Sequence, residues 1–384
     1  MMELVAQNGT GFTSNGYYRI CNLVTKRYIY VTDNKDYYNP NTDSEDFQAI
    51  QLWKDLSRTV SNPASVIYIE EVSSGSYDLK AQGTGVHALT GYYVNVSKQA
   101  NGTYKVSASV KKGGMTATKT LTDKSHGSGD KGKLGTGTNN DGSYLYWIVD
   151  KMETIHATNY FGITPTIELN GMYYQPFFAA FPFKPVSPDM NIYYIERVEG
   201  NSAIMKKIEG EVPASTPVLI ECTSTDPSQN RLELLNSSNV KVTGNKLSGI
   251  YFCNGDRPEE STSAYTEFNS STMRVFSVAD GKLVLTNDAP ERLQIVDALD
   301  WDTYEDIEIN CVPANTSYMK ADAATPEELE VCLNGMGIDD IIKGSSKDVK
   351  GVYTISGTHL RSSNDIEGLP AGLYIVAGKK VVIK

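Results

Sequence analysis

Apolar and polar residues alternate with period two through most of the chain, in short segments, and Gly, Asn, Asp or Ser stops each segment after a few residues. Successive side chains of a strand point to opposite faces, so this spacing predicts half-buried strands joined by tight turns. Tyr17-Tyr18-Arg19-Ile20-Cys21-Asn22 leads through a Thr25-Lys26 turn into Tyr28-Ile29-Tyr30-Val31, and Gln51-Leu52-Trp53 follows. The cadence returns at Val66-Ile67-Tyr68-Ile69 with Tyr77-Asp78-Leu79-Lys80, again at Tyr104-Lys105-Val106, and closes at Tyr144-Leu145-Tyr146-Trp147-Ile148-Val149. Helical periodicity is scarce. Thr325-Pro326-Glu327-Glu328 has the form of a helix start, with a capping box and Pro at the first turn. The residues after it, Leu329-Glu330-Val331-Cys332-Leu333, alternate with period two, which favours a strand. The expected fold class is all-β.

Residues 1–155 read as one unit. Three rounds of strands within it come to roughly 45 residues each, the size of one lobe of a three-fold repeat. The opening YYRICNLVTKRYIYV and the Gln51-Leu52-Trp53 triplet resemble the ricin-type β-trefoil, whose QxW tryptophan packs inside the domain. The resemblance implies a β-trefoil-like domain with Trp53 and Trp147 in its core. The third round must then absorb a long polar stretch over 111–143. Its Lys-, Gly- and Thr-rich part, 111–133, reads as a solvated loop.

Residues 156–333 announce themselves by duplication. Val212-Pro213-Ala214-Ser215-Thr216-Pro217 recurs as Val312-Pro313-Ala314-Asn315-Thr316-Ser317, and each copy sits between a hairpin-like strand pair and a further strand. The pairs are Ile192–Ile195 with Ala203–Lys206, and Val275–Val278 with Lys282–Leu285. Pro at the start of a strand fixes φ without removing a ladder bond that matters. The expectation is a β-sandwich that uses one corner twice. Such a sandwich sets Cys222 and Cys311 at equivalent edges, which makes them the disulfide to test first; buried free thiols are the other reading. Residues 334–350 read as a linker.

The last stretch, 351–384, predicts a small C-terminal antiparallel β module, with strands at Val352-Tyr353-Thr354-Ile355, Leu373-Tyr374-Ile375-Val376 and Val381-Val382-Ile383. A body this small buries little apolar area by itself, so it docks on something or serves as an address. Its VYxxxG opening, LPAGLYIV centre and GKKVVIK ending resemble the C-terminal (type IX-like) sorting domain of proteins exported by Bacteroidetes. The doubled VPA corner is similar to that of a sandwich module that often precedes this tail. The resemblance implies export and a partner in the export machinery. It also implies a leader ahead of Met1-Met2-Glu3-Leu4-Val5, which has neither a basic region nor an apolar stretch of signal-peptide length.

Composition narrows the partners. A net charge of −11 and a pI near 5.0 argue against nucleic acid, because phosphate binding needs a basic face. No apolar run approaches the roughly 20 residues of a membrane-spanning helix. The five cysteines form no CxxC pair, and His87, His126, His156 and His359 stand in no metal spacing. No GxSxG elbow is present. The Asx-rich loop at Asp33, Asn34, Asp36, Asp43, Glu45 and Asp46 offers hard oxygens for calcium but lacks the Gly and closing Glu of an EF-hand. No cofactor, no metal and no catalytic residue are expected. The one candidate ligand site is Asp300, Trp301, Asp302 and Tyr304, where an aromatic face beside carboxylates suits a sugar ring; an acidic loop with its Trp folded onto the core is the other reading. The sequence points to an exported surface or secreted binding protein whose ligand is a carbohydrate or another protein, with host or cell-surface proteins as partners. An extracellular glycoside hydrolase or peptidase accessory, and a structural spacer or adhesin, are the alternatives.

Overall fold

The computed structural model describes residues 9–31, 50–53, 59–83, 94–112, 115–123, 131–137, 139–250, 265–300, 303–333, 351–354, 359–361, 363–376 and 379–383. The protein is all-β, as the alternation predicts, with two short 3-10 segments at Pro63–Ser65 and Asn139–Leu145. The expected linker over 334–350 and the Asx-rich loop over 33–46 lie outside the described residues.

The N-terminal strands form one ten-stranded antiparallel sheet. Its order runs Trp147–Lys151, Gly16–Asn22, Tyr28–Val31, Ile50–Trp53, Lys131–Gly137, Met115–Asp123, Tyr104–Lys112, Val94–Lys98, Ser76–Ala81, Ile67–Ser73. The last strand pairs back onto the second through Gly16↔Ile69, Tyr17↔Tyr68 and Tyr18↔Ile67, and Trp147 pairs with Tyr104. These closures curl the sheet around a core of Tyr18, Ile20, Ile67, Leu79, Leu121 and Trp147. Trp147 is fully buried, as expected, and its indole N–H donates to Leu121 O at 3.1 Å.

The solvated loop expected over 111–133 is corrected by two strands, Met115–Asp123 and Lys131–Gly137. Met115-Thr116-Ala117-Thr118-Lys119-Thr120-Leu121-Thr122 alternates with period two, and β-branched Thr suits a pleated surface better than its polarity suggests. Leu121 and Asp123 are fully buried, and Asp123 meets the buried Arg27 at 3.0 Å.

The central body is a sandwich built from a second ten-stranded sheet. One half runs Ile167–Leu169, Met172–Phe177, Val218–Cys222, Asn191–Glu199, Ser202–Lys207; the other runs Glu328–Cys332, Lys282–Thr286, Met273–Ala279, Thr316–Lys320, Leu247–Ile250. A parallel pairing of Ser202–Lys207 with Glu328–Cys332 joins the halves. The Glu328–Cys332 segment is therefore the strand its alternation predicts, with Leu329 buried and Glu328 and Glu330 exposed. Tyr193, Ile195, Met205 and Leu219 of the first half pack against Phe276, Leu285, Met319 and Leu329 of the second.

The first half is buried on its other side as well. Ile192, Tyr194, Val218 and Ile220 turn away from that core into a second one, covered by a three-stranded sheet of Phe161–Gly162, Arg231–Leu234 and Phe183–Pro185. This explains why Val218-Leu219-Ile220 is apolar without a break: a strand covered on both faces has no polar side to show. The second core does not stop at residue 155. Tyr17 and Val66 of the N-terminal sheet belong to it, beside Phe161, Phe177, Phe181 and Phe183.

The doubled corner keeps one geometry in both copies. Ser215 and Asn315, its fourth residues, both hold left-handed backbone, at φ 60° and 58°. Cys222 and Cys311 are buried thiols in different sheets and form no disulfide with one another, Cys222 opposite Tyr173 and Cys311 opposite Glu267 and Glu291. The structure takes the buried-thiol reading over the Cys222–Cys311 bridge: equivalence in sequence did not make them neighbours across a sheet. The tail forms a four-stranded sheet of Val352–Thr354, His359–Arg361, Gly372–Val376 and Lys379–Ile383, one strand more than expected.

Candidate functional site

The seam between the N-terminal sheet and the central body gathers the polar chemistry of the chain. Arg19 projects from the Gly16–Asn22 strand and is fully buried. Its guanidinium donates to Ser65 Oγ at 3.0 Å, Asn159 Oδ1 at 3.0 Å, Tyr160 O at 2.7 Å and Thr59 O at 2.9 Å. Burial pushes its pKa down to about 10, which leaves it charged at neutral pH. Carbonyl oxygens spread over a planar fork satisfy that charge in place of a carboxylate. Asn159 carries the network on, donating to Asp150 O and Lys151 O. Arg231, from the other side of the seam, donates to Thr154 O and His156 O and lies 3.9 Å from the centre of the Tyr160 ring.

Beside this network lies an open cleft of about 410 Å³. One wall comes from residues 15–17 and 151–154, the other from Phe161 and residues 232–236. Tyr17 and Phe161, both nearly buried, are among its lining residues, and burial raises the Tyr17 phenol well above its ordinary pKa. Asn15, Lys151, Glu153 and Asn236 supply amides and charges of both signs to its lining. The size fits a small ligand or one or two residues of a longer one, and the lining combines two aromatic residues with several polar ones. Sequence reasoning missed this site because its lining comes from four separated stretches, none with a local signature.

The quartet singled out in the sequence falls elsewhere. Asp300 ends the Glu291–Asp300 strand, and Tyr304 is the second residue of the Thr303–Pro313 strand; Asp300 pairs with Thr303 and Ala298 with Tyr304. Trp301 and Asp302 lie outside the described residues. Of the histidines, His156 accepts from the backbone N–H groups of Thr158 and Asn159. Among the described residues no three His, Cys, Asp or Glu side chains form a metal-sized group, and no helix is long and apolar enough to cross a membrane.

A second carboxylate site lies inside the sandwich. Glu221, 9% exposed, accepts from Asn191 Nδ2 at 2.7 Å and from the hydroxyls of Tyr174 and Tyr193. Burial first, and the carboxylate second, push both phenols up to about 12.

No family model and no curated protein matches the chain. It is similar to a solved structure described as "Structure and mode of action of a mosquitocidal holotoxin", at 11% identity and a TM-score of 0.29, over 89% of this chain and 53% of that one. The chain thus spans about half the length of that protein, and at this score the likeness carries no argument about fold or function.

Proposed function

We propose that this chain is an exported surface or secreted binding protein that takes a carbohydrate, or a segment of another protein, into the cleft at the seam. The observation that carries the reading is the cleft itself, lined by Tyr17 and Phe161 together with Asn15, Lys151, Glu153 and Asn236. Rigid sheets set its walls, which favours binding by lowering the entropy lost on capture. Export rests on the resemblance of the tail's VYxxxG opening, LPAGLYIV centre and GKKVVIK ending to a sorting module. The trefoil-like reading of residues 1–155 rests on the YYRICNLVTKRYIYV opening and the Gln51-Leu52-Trp53 triplet, and it belongs to the same proposal.

The test is a glycan array and a peptide array probed with the full chain, then with Glu153→Ala, Asn236→Ala and Trp301→Ala. Binding that falls about tenfold in the first two variants and survives the third places the ligand in the cleft. Loss in Trp301→Ala alone would move the site to the Asp300–Tyr304 region. No signal on either array would leave the spacer reading in its place.

A further inference from the structure

We propose that the duplicated corner acts as an intramolecular latch: its second copy captures Gln82, so the N-terminal and central sheets open together rather than as separable bodies. Gln82 follows directly on the Ser76–Ala81 strand and is fully buried. Its Oε1 accepts from Asn315 Nδ2 at 3.0 Å and from Ala180 N at 3.4 Å. Its Nε2 is buried without a partner among the described residues.

Asn315 is the centre of the device. Its Nδ2 also donates to Phe178 O at 3.0 Å, its carbonyl accepts from Phe178 N at 2.9 Å, and its N–H donates to Ile250 O at 2.6 Å. One side chain therefore ties together stretches 137 and 233 positions away along the chain. In the first copy, Ser215 N donates to Ala179 O at 3.0 Å, so both corners grip the same short segment. Ser317 Oγ, at the end of the second corner, donates to Val218 O, just beyond the first.

The backbone at the latch is held against its own preference. Gln82 and Gly83 stand consecutively in left-handed conformation at φ 54° and 79°, and Asn315 at 58°. Non-glycine residues keep such angles where surrounding contacts over-determine them. Around the latch the contact continues through one ring pair and one backbone bond: Tyr17 meets Phe181 with ring centroids 5.9 Å apart, and Gly162 N donates to Val60 O at 3.0 Å. Opening either sheet alone would expose this shared core. The inference stands whether or not the cleft takes a ligand.

Hydrogen exchange on the full chain in increasing urea tests it. In the wild type, amides of Ile67–Ser73 and Ser76–Ala81 should share one opening curve with those of Val218–Cys222. Asn315→Gly keeps the left-handed backbone and removes the amide. Exchange in Ile67–Ser73 and Ser76–Ala81 should then rise at least about tenfold, although the substitution lies in the other sheet. Ser317→Ala serves as control: it leaves the Gln82–Asn315 contact in place, so the three segments should keep one shared opening curve. Wild-type curves well separated in urea, or an Asn315→Gly effect confined to residues near 178 and 315, would overturn the proposal. If Asn315→Gly does not fold, Gln82→Met reads the latch from the other side and should raise exchange at residues 178–180 by a similar factor; unchanged rates there would overturn it as well.

Discussion

Phe178 occupies the space that a side chain at Gly249 would take: a Cβ built on Gly249 falls among the Phe178 ring carbons. Gly249 lies in the Leu247–Ile250 strand opposite Ser317, and Phe178 is held at both its N–H and its carbonyl by Asn315. Gly249→Ala should therefore destabilise the protein by about 1–3 kcal/mol, the range for overpacking a filled core. Urea unfolding should show a lower midpoint with an unchanged slope. A midpoint within error of wild type would show that Phe178 can move.

Arg19 gives a second expectation. Lys keeps the positive charge, but a single ammonium cannot reach acceptors as dispersed as Ser65 Oγ, Asn159 Oδ1, Tyr160 O and Thr59 O. Arg19→Lys should cost about 3 kcal/mol, because it leaves several buried acceptors without donors. Thermal unfolding checks this, and an effect below about 1 kcal/mol would mean that water replaces the guanidinium.

Alkaline pH should expose the Glu221 site. The Tyr174 and Tyr193 phenols titrate near 10 in an unfolded chain and at about 12 here. A folded pKa raised above the unfolded one contributes stability that is complete below pH 10 and is lost as pH rises through 12. The urea midpoint should hold level up to pH 10 and then fall, with phenolate absorbance appearing as the chain unfolds. In Tyr174→Phe the fall should be shallower; an equally steep fall would assign it to other tyrosines.

Thiol chemistry separates the cysteines. Burial pushes the Cys21 and Cys222 thiols up to about 12, Cys311 is fully buried, and Cys332 is half-buried. In a Cys253→Ser background, Cys332 should react first with a thiol reagent, and the other three only on unfolding, since the thiolate is the reactive form. Mass spectrometry of alkylated protein counts them. A Cys222–Cys311 disulfide in the folded protein would contradict the structure.

Local spacing carried the elements well where burial was one-sided. Glu328–Cys332 reads as a strand because Leu329 and Val331 face the core while Glu328 and Glu330 face water. It misled where a strand is polar for its own reasons: Thr116, Thr118, Thr120 and Thr122 look like loop chemistry, although their branched Cβ suits a sheet. The doubled VPA corner was legible as a repeat. Its purpose was not, because the partners of Ser215 and Asn315 lie at residues 178–180 and at Gln82, distant in sequence.

By itself, then, the sequence determined that this chain forms strands, where a number of them lie, and that one corner is used twice. Those properties depend on alternation and turn chemistry, which act over a few residues. The tertiary structure alone decided that Tyr17 and Phe181 share a core, that Arg19 is satisfied by carbonyls from another segment, and that a cleft opens between Asn15 and Asn236. Such contacts join residues with no spacing in common, and a strand's pattern says which face is covered without saying what covers it.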